Sequence, residues 1–487
     1  MSIVAGVDSS TQSCTVELRD ADTGRLRGTG RAAHPATTPP RSEQDPERWW
    51  LALREALSAA VTDAGVDATD IAAISVAAQC HGLVLLDEHG RVLRPAKLWN
   101  DTESAPQAER AVAAMGERAW VDAIGSVPTA AFTISKLMWV AENEPDVLDQ
   151  ARRILLPHDF LTFRLLDRAV TDRSEASGTG YYAAHAGRWR TDLLDEFVRP
   201  DVDWESMLPT VLGPDEAAGT ISPAAAAQLG LRHDVVVAAG AGDQHAGALG
   251  VGLREGDVLY SLGTSGVVMT TSRTPVFDAS GAVDGVADAA GGYLPLICTL
   301  NSTKVTDATA RWLNVSLAEL SELALAAPAR DDRPVLVAYL DGERTPNRPD
   351  ATGTLGGLTT DTTREDIARA AFEGVLFGLA AGHEAIRAAG ASADGEVTVV
   401  GGGAKSPAYR QMLADILQQP VLTKDVVEAT ARGACVQAAA VLRGAPVTTV
   451  RDAWSPAAST TTEPAADPPR AVFDRYLRLA RTPGLPR

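Results

Sequence analysis

Short apolar runs alternate along the chain with longer alanine-rich segments in which apolar residues recur at helical spacing. The apolar runs predict buried strands, at residues 3–7, 71–78, 153–157, 235–239, 258–262, 266–271, 335–339 and 397–400. The alanine-rich segments predict helices, for example over 46–64, 363–388 and 406–417. Because predicted strands alternate with predicted helices, the pattern indicates α/β layering in which at least part of the sheet is parallel.

Polar turns join two pairs of the predicted strands. In SIVAGVDSSTQSCTVEL (2–18), an apolar run leads to Asp8, a turn of hydroxyl and amide side chains follows, and a second strand begins. DVLYSLGTSGVVMTTS (257–272) has the same arrangement in the second half of the chain. The two hairpins indicate either two related domains that face each other or two ordinary β-hairpins.

The turn of the first hairpin suits phosphate. Serine and threonine residues offer backbone N–H groups and hydroxyls without bulk, and a carboxylate at the end of a strand can hold Mg²⁺, usually through water. Under this interpretation Asp8 positions the metal and residues 10–13 contact phosphate. The alternative is that Asp8 only caps the turn.

A second carboxylate follows a glycine-containing turn. VVVAAGAGDQHAGALG (235–250) is a strand that runs into Gly240 and Gly242, where the backbone can turn sharply, and then reaches Asp243. A carboxylate in a crevice at the end of a strand is well placed as a general base. The alternative is that Asp243 is a helix cap.

Three consecutive glycines follow the predicted strand at 397–400. In TVVGGGAKSPAYRQML (398–413) they allow a ligand or a phosphate to approach the backbone closely. The segment is not a P-loop, because Lys405 follows Ala404 rather than a glycine. Neither this segment nor 235–250 has the GxGxxG spacing of a dinucleotide fingerprint.

Two further segments carry side chains suited to a polyol. AAISVAAQCHGLVLLD (72–87) places His81 between two predicted strands, and LRPAKLWNDTES (93–104) contains Trp99, Asn100 and Asp101. An aromatic face beside amides and carboxylates matches a sugar, which has apolar C–H faces and hydroxyl edges. The alternatives are a structural histidine and a core tryptophan beside a capping side chain.

Composition narrows the class of partner. The formal net charge of -19 over 487 residues argues against nucleic acid, whose phosphates bind Lys and Arg. The cysteines, Cys14, Cys80, Cys298 and Cys435, lie far apart, so neither a zinc cluster nor a disulfide framework is indicated, and a reducing cytoplasm is expected. No apolar run is long enough for a membrane span, and no secretory signal is expected at the N-terminus.

The segments described above occur together and in order, and with them the chain resembles the FGGY family of carbohydrate kinases, within the actin-like ATPase superfamily. Each motif is weak alone, but the ordered set, from residue 6 to about residue 417, is specific. The motifs are GVDSST, SEQDPERWW, AAQCHG, RPAKLWND, LLPHDFLTFRL, TDRSEASGT, AGAGDQHAGALGVG, SLGTSG, YLDGERTPNRPDATGTLGGL, AFEGVLFGL and GGGAKSPAYRQMLADIL.

The resemblance implies an α/β protein of two actin-like (ribonuclease H-like) ATPase domains with an interdomain cleft. We expect an N-terminal domain over 1–245, which binds the sugar and ends at the catalytic base, and a C-terminal, nucleotide-binding domain over 246–487. Within the second domain, 452–470 is rich in Ala, Thr and Pro and is expected to be a flexible linker. One more amphipathic helix is expected at 471–481.

The resemblance also implies roles for individual residues. Asp243 is expected to be the catalytic base, and Asp8 is expected near Mg²⁺ and the phosphates. Lys304, in NSTKVTDATARWL, is expected either to reach phosphate or to be exposed. The other expected contacts are Cys80, His81, Trp99, Asp243 and Gln244 with the sugar, Thr11 and Gln12 in the first phosphate hairpin, Gly263 and Thr264 in the second, and Gly402, Gly403, Ala404 and Lys405 beside the nucleotide.

The implied activity is transfer of phosphate from MgATP to a ketopentose, with D-xylulose expected as the substrate and D-xylulose 5-phosphate as the product. SEQDPERWW, QCHG and DGERTPNRP are most similar to kinases that act on xylulose. Cys80 and Gln244 differ from the residues usual in those kinases, so L-ribulose, a pentitol, gluconate and glycerol stay open as substrates. A chaperone-type ATPase and a non-catalytic sugar-binding regulator are the alternatives from other classes, and a homodimer is expected by analogy.

Overall fold

The structure is a computed structural model, and it describes residues 2–328 and 330–482. Its strands are β1 (Ile3–Ser9), β2 (Ser13–Asp20), β3 (Leu26–Ala33), β4 (Glu43–Gln44), β5 (Ile71–Ala78), β6 (Val84–Leu86), β7 (Ala96–Lys97), β8 (Arg153–Leu155), β9 (Val170–Asp172), β10 (Tyr182–Ala183), β11 (Arg188–Trp189), β12 (Thr210–Leu212), β13 (Ala217–Thr220), β14 (Val236–Ala238), β15 (Ala241–Gly242), β16 (Val258–Leu262), β17 (Gly266–Thr270), β18 (Asp284–Ala287), β19 (Tyr293–Thr299), β20 (Val335–Val337), β21 (Thr354–Gly356), β22 (Val397–Val400), β23 (Val421–Lys424) and β24 (Ala458–Thr462).

Helices separate most of these strands. The α-helices are α1 (Pro46–Ala64), α2 (Ala105–Met115), α3 (Glu117–Ile124), α4 (Thr133–Asn143), α5 (Pro145–Gln150), α6 (Pro157–Leu166), α7 (Arg173–Ser177), α8 (Thr191–Phe197), α9 (Trp204–Met207), α10 (Pro223–Leu229), α11 (Asp243–Gly250), α12 (Thr303–Leu313), α13 (Leu317–Ala326), α14 (Arg364–Ala388), α15 (Pro407–Leu417), α16 (Ala429–Arg443), α17 (Val447–Ala453) and α18 (Arg470–Arg481). Within the described ranges, none of them combines the length and the apolar character that a membrane crossing requires.

Local sequence explains why many elements begin and end where they do. Helix α1 begins after Asp45, whose side chain accepts a hydrogen bond from the Glu47 N–H, and Pro46 occupies its first turn. It ends at Gly65, whose φ of 62° lies in the left-handed region that favours glycine. The predicted strands 71–78, 258–262 and 397–400 and the predicted helix 46–64 are confirmed with the same bounds, and the other predicted elements are present with ends that differ by one or two residues.

Two large sheets share one topology. The first has the order β13-β14-β5-β1-β2-β3, with β15 also paired to β5, and the second has the order β18-β19-β17-β16-β22-β23-β24. In each, the central hairpin is antiparallel (β1 with β2, β16 with β17) and is followed by two parallel neighbours (β5 and β14, β22 and β23). Each sheet has an antiparallel strand beside the second of these neighbours, β13 or β24. The equivalent positions of the two hairpins favour two related domains over two ordinary hairpins.

The predicted site segments lie at corresponding edges of the two sheets. Parallel strands end at the same edge, which is where α/β proteins bind ligands. In the first sheet, Asp8 lies at the end of β1, His81 follows β5, and Asp243 begins the helix after β15. In the second sheet, β16 and β22 lead to Gly263 and to the three glycines at 401–403.

Two helices, α16 and α11, link the cores of the two halves. Helix α16, which follows the second sheet's β23, packs on β1 and β5 of the first sheet, in an apolar cluster that joins Val4 and Ala73 to Cys435 and Ala439. The C-terminal end of α11 joins a cluster formed by strands of the second sheet. The two halves are therefore interlocked rather than simply tethered.

The segment 452–470 is not the flexible linker that its composition predicts. Its first residues complete α17, and Ala458–Thr462 form β24, which pairs antiparallel with β23 at the edge of the second sheet. Threonine is favoured in strands, and its cross-strand pairing here outweighs the local preference for an irregular linker. The helix expected at 471–481 is confirmed as α18.

Candidate active site

A cavity of about 210 Å³ lies between the two halves, at the edge where the strands of the first sheet end. Both halves line it: Asp284, Cys298 and Arg344 from the second half face residues of the first half across the cavity. The structure brings together every residue predicted to contact the sugar, namely Cys80, His81, Trp99, Asp243 and Gln244. Residues separated by more than 160 positions in the sequence therefore share one small-molecule site.

Asp243 is the first residue of α11, directly after the glycine turn. Its Oδ1 atom accepts a hydrogen bond of 2.7 Å from the Gln244 N–H and lies 3.6 Å from the Cys80 Sγ atom. Its backbone oxygen accepts a hydrogen bond from the hydroxyl of Thr430 on α16. Burial raises the pKa of the Asp243 carboxyl to about 6, which brings it close to the pH at which a general base works best.

Asp8 is held near the end of β1. The Ser10 hydroxyl donates a hydrogen bond of 2.5 Å to its Oδ1 atom. Burial, with the charges of Asp243 and Glu428 nearby, raises the pKa of the Asp8 carboxyl to about 7. A cation beside these carboxylates would offset their repulsion, and carboxylate oxygens are ligands that Mg²⁺ prefers, so the residues present fit this metal.

The turn of the first phosphate hairpin has one residue in the cavity wall and one residue exposed to solvent. Thr11, predicted to contact phosphate, also lines the cavity, and its hydroxyl accepts a hydrogen bond of 2.9 Å from the Trp99 Nε1–H. The Gln44 side chain donates to the Thr11 backbone oxygen. Gln12 is exposed at the tip of the turn. The hairpin therefore connects the cavity to the surface on which the phosphates are expected.

His81 has a fixed orientation in the cavity wall. Its φ of 66° lies in the left-handed region, and its ring stacks on Phe132 with the ring centroids 5.0 Å apart. The Nδ1 atom lies 2.6 Å from the Gly178 carbonyl oxygen, which assigns the proton to Nδ1 and leaves Nε2 as an acceptor. Burial lowers the pKa of His81 to about 3, so the ring is neutral at physiological pH.

The predicted nucleotide residues form two adjoining turns of the second half. Gly263 accepts hydrogen bonds at its backbone oxygen from the N–H and the hydroxyl of Thr303, and Thr264 accepts one from the Ser302 N–H. Residues Gly402–Lys405 form a short 3₁₀ helix after β22. This short helix packs against the end of β16, which leads to Gly263. A Cβ atom on Gly403 would lie 2.7 Å from the Leu262 Cβ atom.

The side chains of these turns are mostly open to solvent. Nothing lies within 4 Å of the position that a Cβ atom of Gly402 would occupy. Lys405 and Thr264 are exposed, and Ala404 is half-buried. Lys304 forms an ion pair of 3.2 Å with Asp341, so its ammonium group already has a partner.

Several cavity residues are missing from the sequence-based prediction. Arg344 and Asp284 form an ion pair of 3.4 Å in the part of the cavity wall that the second half provides, and Phe132 stacks on His81. Arg344 lies within the motif YLDGERTPNRP, which marks it as a candidate. His245 lies within AGAGDQHAGALG and carries the same signal.

Glu175, in TDRSEASGT, is buried behind Asp243. Neither of its carboxyl oxygens accepts a well-formed hydrogen bond within the described part of the chain. Burial, followed by the charges of Asp159 and Asp172, raises the pKa of Glu175 well above its ordinary value. A Cβ atom on Gly242 would press against Glu175 Oε1 and Cys80 Sγ, which explains the glycine before the base.

Comparison with known proteins relates the geometry to one family. The model of the FGGY family of carbohydrate kinases matches the chain with its N-terminal domain over residues 3–250 and with its C-terminal domain over residues 258–442. A xylulose kinase of Streptomyces coelicolor is 40% identical over 458 residues, which cover 94% of this chain and 91% of that protein. The crystal structure of a xylulose kinase from Bifidobacterium adolescentis has a TM-score of 0.88 and 40% identity, with 98% of this chain and 99% of that chain covered.

The fold extends beyond xylulose kinases. The crystal structure of a gluconate kinase from Lactobacillus acidophilus has a TM-score of 0.89 at 23% identity, with 98% of this chain and 97% of that chain covered. At that identity the likeness concerns the fold alone. The choice of sugar must therefore be argued from the side chains of the cavity.

Proposed function

The chain belongs to the FGGY family of carbohydrate kinases, and we therefore propose that it transfers the γ-phosphoryl group of ATP to D-xylulose and releases D-xylulose 5-phosphate. The observation that carries this proposal is the buried Asp243 carboxylate, which faces a cavity lined by both halves and has a pKa raised to about 6. Relatives with up to 40% identity over most of the chain are named xylulose kinases, which supports xylulose over other sugars.

In this proposal Asp243 is the general base. It accepts a hydrogen bond from the attacking hydroxyl at C5 of the sugar and takes its proton as the oxygen attacks the γ-phosphorus. The bond from that phosphorus to the bridging oxygen of ADP breaks. Such transition states are loose, so positioning and charge stabilisation contribute most of the acceleration. The hydrogen bond from Gln244 N–H holds the carboxylate in place.

The sugar would be held by the cavity wall of the first half. The Nε2 atom of His81 accepts a hydrogen bond from a hydroxyl, and the Trp99 ring covers a C–H face. Gln244 offers an amide at the mouth of the cavity, and the Cys80 thiol fills the space beside the base. These contacts are directional, which is what a polyol with several hydroxyls requires.

The nucleotide would lie along the two turns of the second half, with its phosphates directed at Asp8. Gly263 and Thr264 face the β- and γ-phosphates, together with Thr11 and Gln12 of the first hairpin. Gly402, Gly403, Ala404 and Lys405 border the rest of the nucleotide, where the open space at Gly402 admits a flat ligand.

Asp8 would hold Mg²⁺, directly or through water. When bound, Mg²⁺ neutralises charge on the phosphate oxygens. The buried carboxylate and its hydrogen bond from Ser10 keep the Asp8 oxygens directed at one place.

The proposal also covers the domain bounds, the cellular location and the oligomeric state. We assign the sugar-binding domain to 1–245 and the nucleotide-binding domain to 246–487; this division is supported by the strands of the first sheet, which all lie before residue 245, and by those of the second, which all lie after it. A cytoplasmic location is proposed because ATP is available there and the four cysteines are unpaired. A homodimer stays a prediction, and light scattering after size-exclusion chromatography tests it.

An assay of ADP release with MgATP tests the proposed function. The sugars are D-xylulose, D-ribulose, L-ribulose, L-xylulose, xylitol, D-arabinitol, gluconate and glycerol. We expect the highest kcat/KM for D-xylulose and a loss of turnover by about 10²–10⁴-fold or more in Asp243→Ala, with ATP affinity little changed.

The outcomes of that assay separate the alternatives. High activity with another sugar alone would keep the kinase and overturn xylulose as the substrate. A folded, ATP-binding protein without sugar-dependent ADP release would favour the regulatory alternative. Near-normal turnover in Asp243→Ala would overturn the assignment of the base.

A further inference from the structure

His245 is a buried imidazole in the wall of the cavity, two residues after Asp243. It is 5% exposed, and the space that it faces is the sugar cavity. Within the described residues, neither of its ring nitrogens has a hydrogen-bond partner. A buried polar group without a partner costs free energy, so a histidine in this position calls for an explanation.

Other buried histidines of the chain show what a structural role requires. His158 pairs through Nδ1 with Asp159 and through Nε2 with the Ala239 carbonyl oxygen, at 2.9 and 2.8 Å. His383 pairs through Nδ1 with the Tyr260 hydroxyl and through Nε2 with the Ala393 carbonyl oxygen, also at 2.9 and 2.8 Å. His245 differs from both, because the protein satisfies neither of its nitrogens.

The chemistry of the ring indicates what its partner is. Burial lowers the pKa of His245 to about 4, so the ring is neutral and has one N–H donor and one acceptor nitrogen. A hydroxyl group can pair with either nitrogen, whereas a carbonyl oxygen can pair only with the donor. The first turn of α11 therefore presents two different groups to the cavity, a carboxylate at Asp243 and a neutral imidazole at His245.

We propose that His245 binds a hydroxyl of the sugar other than the one that is phosphorylated, and that this contact makes the enzyme selective for the fully hydroxylated ketose over deoxy analogues. The inference rests on the proposed function and adds a specificity residue to it. A site built to pair with a hydroxyl rejects the analogue that lacks it, because the buried protein group is then left without a partner.

The test compares the wild type with His245→Phe on D-xylulose and on its 1-deoxy, 3-deoxy and 4-deoxy analogues, all of which keep the hydroxyl at C5. For one analogue, we expect the wild type to lose about 100-fold or more in kcat/KM relative to D-xylulose. In His245→Phe the same analogue and D-xylulose should differ by less than about threefold, since the imidazole is gone. The KM for ATP should change little.

Two further variants make the result specific. His245→Gln keeps one donor and one acceptor and should restore part of the discrimination that His245→Phe loses. His233→Phe changes an exposed histidine and should leave all four sugars unaffected. Melting temperature and ATP binding establish that each variant is folded; if His245→Phe does not fold, His245→Gln and His245→Asn carry the comparison.

Each outcome decides the matter. Equal losses for all four sugars in His245→Phe would indicate a merely structural role and overturn the inference, and so would D-xylulose activity within twofold of the wild type. If the wild type itself phosphorylates none of the four sugars, the proposed function fails first. In that case no variant is needed to reach the conclusion.

Discussion

Burial sets the protonation of the residues on which the proposed reaction depends. Asp243 and Asp8 have raised carboxyl pKa values, whereas His81 and His245 are held neutral by lowered ones. Asp243 can take the proton of the attacking hydroxyl only when it is ionised, so the pH at which Asp243 ionises should be visible in the kinetics.

We expect kcat/KM for D-xylulose, at saturating MgATP, to fall with a slope of about one as the pH drops below about 6. The pKa of the base is raised, so protonation removes the base at a higher pH than it would for an ordinary aspartate. Bound Mg²⁺ favours the ionised form of Asp8 and therefore moves the protonation of Asp8 to a pH below that of the Asp243 limb. Initial rates between pH 4.5 and 8.5, a range of about four pH units around the expected midpoint, measure the profile.

Cys80→Ala provides the matched variant for this profile. The Cys80 thiol donates to Asp243 Oδ1 and lowers the pKa of that carboxyl. Removing the thiol should therefore move the acidic limb to higher pH while leaving its slope unchanged. A limb centred near 3.8, the ordinary aspartate value, in both proteins would contradict the assignment of Asp243 as the group that titrates.

At the scale of elements, close contact between α11 and α16 positions the base. A Cβ atom on Gly433 of α16 would overlap the carbonyl oxygen of Ala246, and one on Gly250 of α11 would overlap the carbonyl oxygen of Ala429. Thr430 adds a hydrogen bond to the Asp243 backbone. The two helices can approach this closely only because glycine occupies the contact points.

Gly433→Ala should therefore push α11 away and displace Asp243. Overpacking of this kind costs about 1–3 kcal/mol of the free energy of unfolding, and a shift of the base by about 1 Å can cost about 10²-fold in turnover. The control is Gly247→Ala in α11, where the nearest atom to the new Cβ is Thr430 Oγ1 at 3.6 Å. Gly247→Ala should keep its activity, and its free energy of unfolding should rise by up to about 1 kcal/mol, because alanine favours the helix more than glycine does.

Urea unfolding and steady-state kinetics on both variants measure the two effects. Equal behaviour of Gly433→Ala and Gly247→Ala would show that the helix contact does not position the base.

Elements with a strong local pattern could be predicted from the sequence. The strand 71–78 is a continuous apolar run, and α1 has a capping aspartate, a proline in its first turn and a glycine at its end, so these elements have the predicted bounds. Strand β24 could not be predicted in this way. Its threonines and alanines are equally common in linkers, and only the edge of β23, far away in the sequence, makes it a strand.

The part of the site that lies at strand ends could likewise be predicted from the sequence, whereas the part contributed by the other half could not. Asp8, His81 and Asp243 lie at or just after the ends of recognisable strands, so their position at one edge follows from parallel pairing. Asp284 and Arg344 reach the cavity from the other half of the chain. No local pattern encodes that approach, because it depends on how the two sheets face each other.

At the scale of the whole molecule, helices α11 and α16 link the cores of the two sheets. The cluster around Val4 and Ala73 is completed by Cys435 and Ala439 of α16, and the cluster around Leu259 and Met269 includes Ala248 of α11. The Gln437 side chain accepts a hydrogen bond from the Ser75 hydroxyl and donates one to the Gly240 carbonyl oxygen, which adds a buried polar link. Unfolding the second half would strip the core of the first half of helix α16.

We therefore expect one cooperative thermal transition, with equal calorimetric and van't Hoff enthalpies, although the chain contains two sheets that could each support a domain. D-xylulose should raise the temperature of the whole transition, since the cavity is lined by both halves; at a concentration of 100 times Kd the stabilisation is about 2.7 kcal/mol. Differential scanning calorimetry with and without the sugar measures both. Two separate transitions, of which the sugar shifts only one, would mean that α11 and α16 do not couple the halves and that the sugar is held by one half alone.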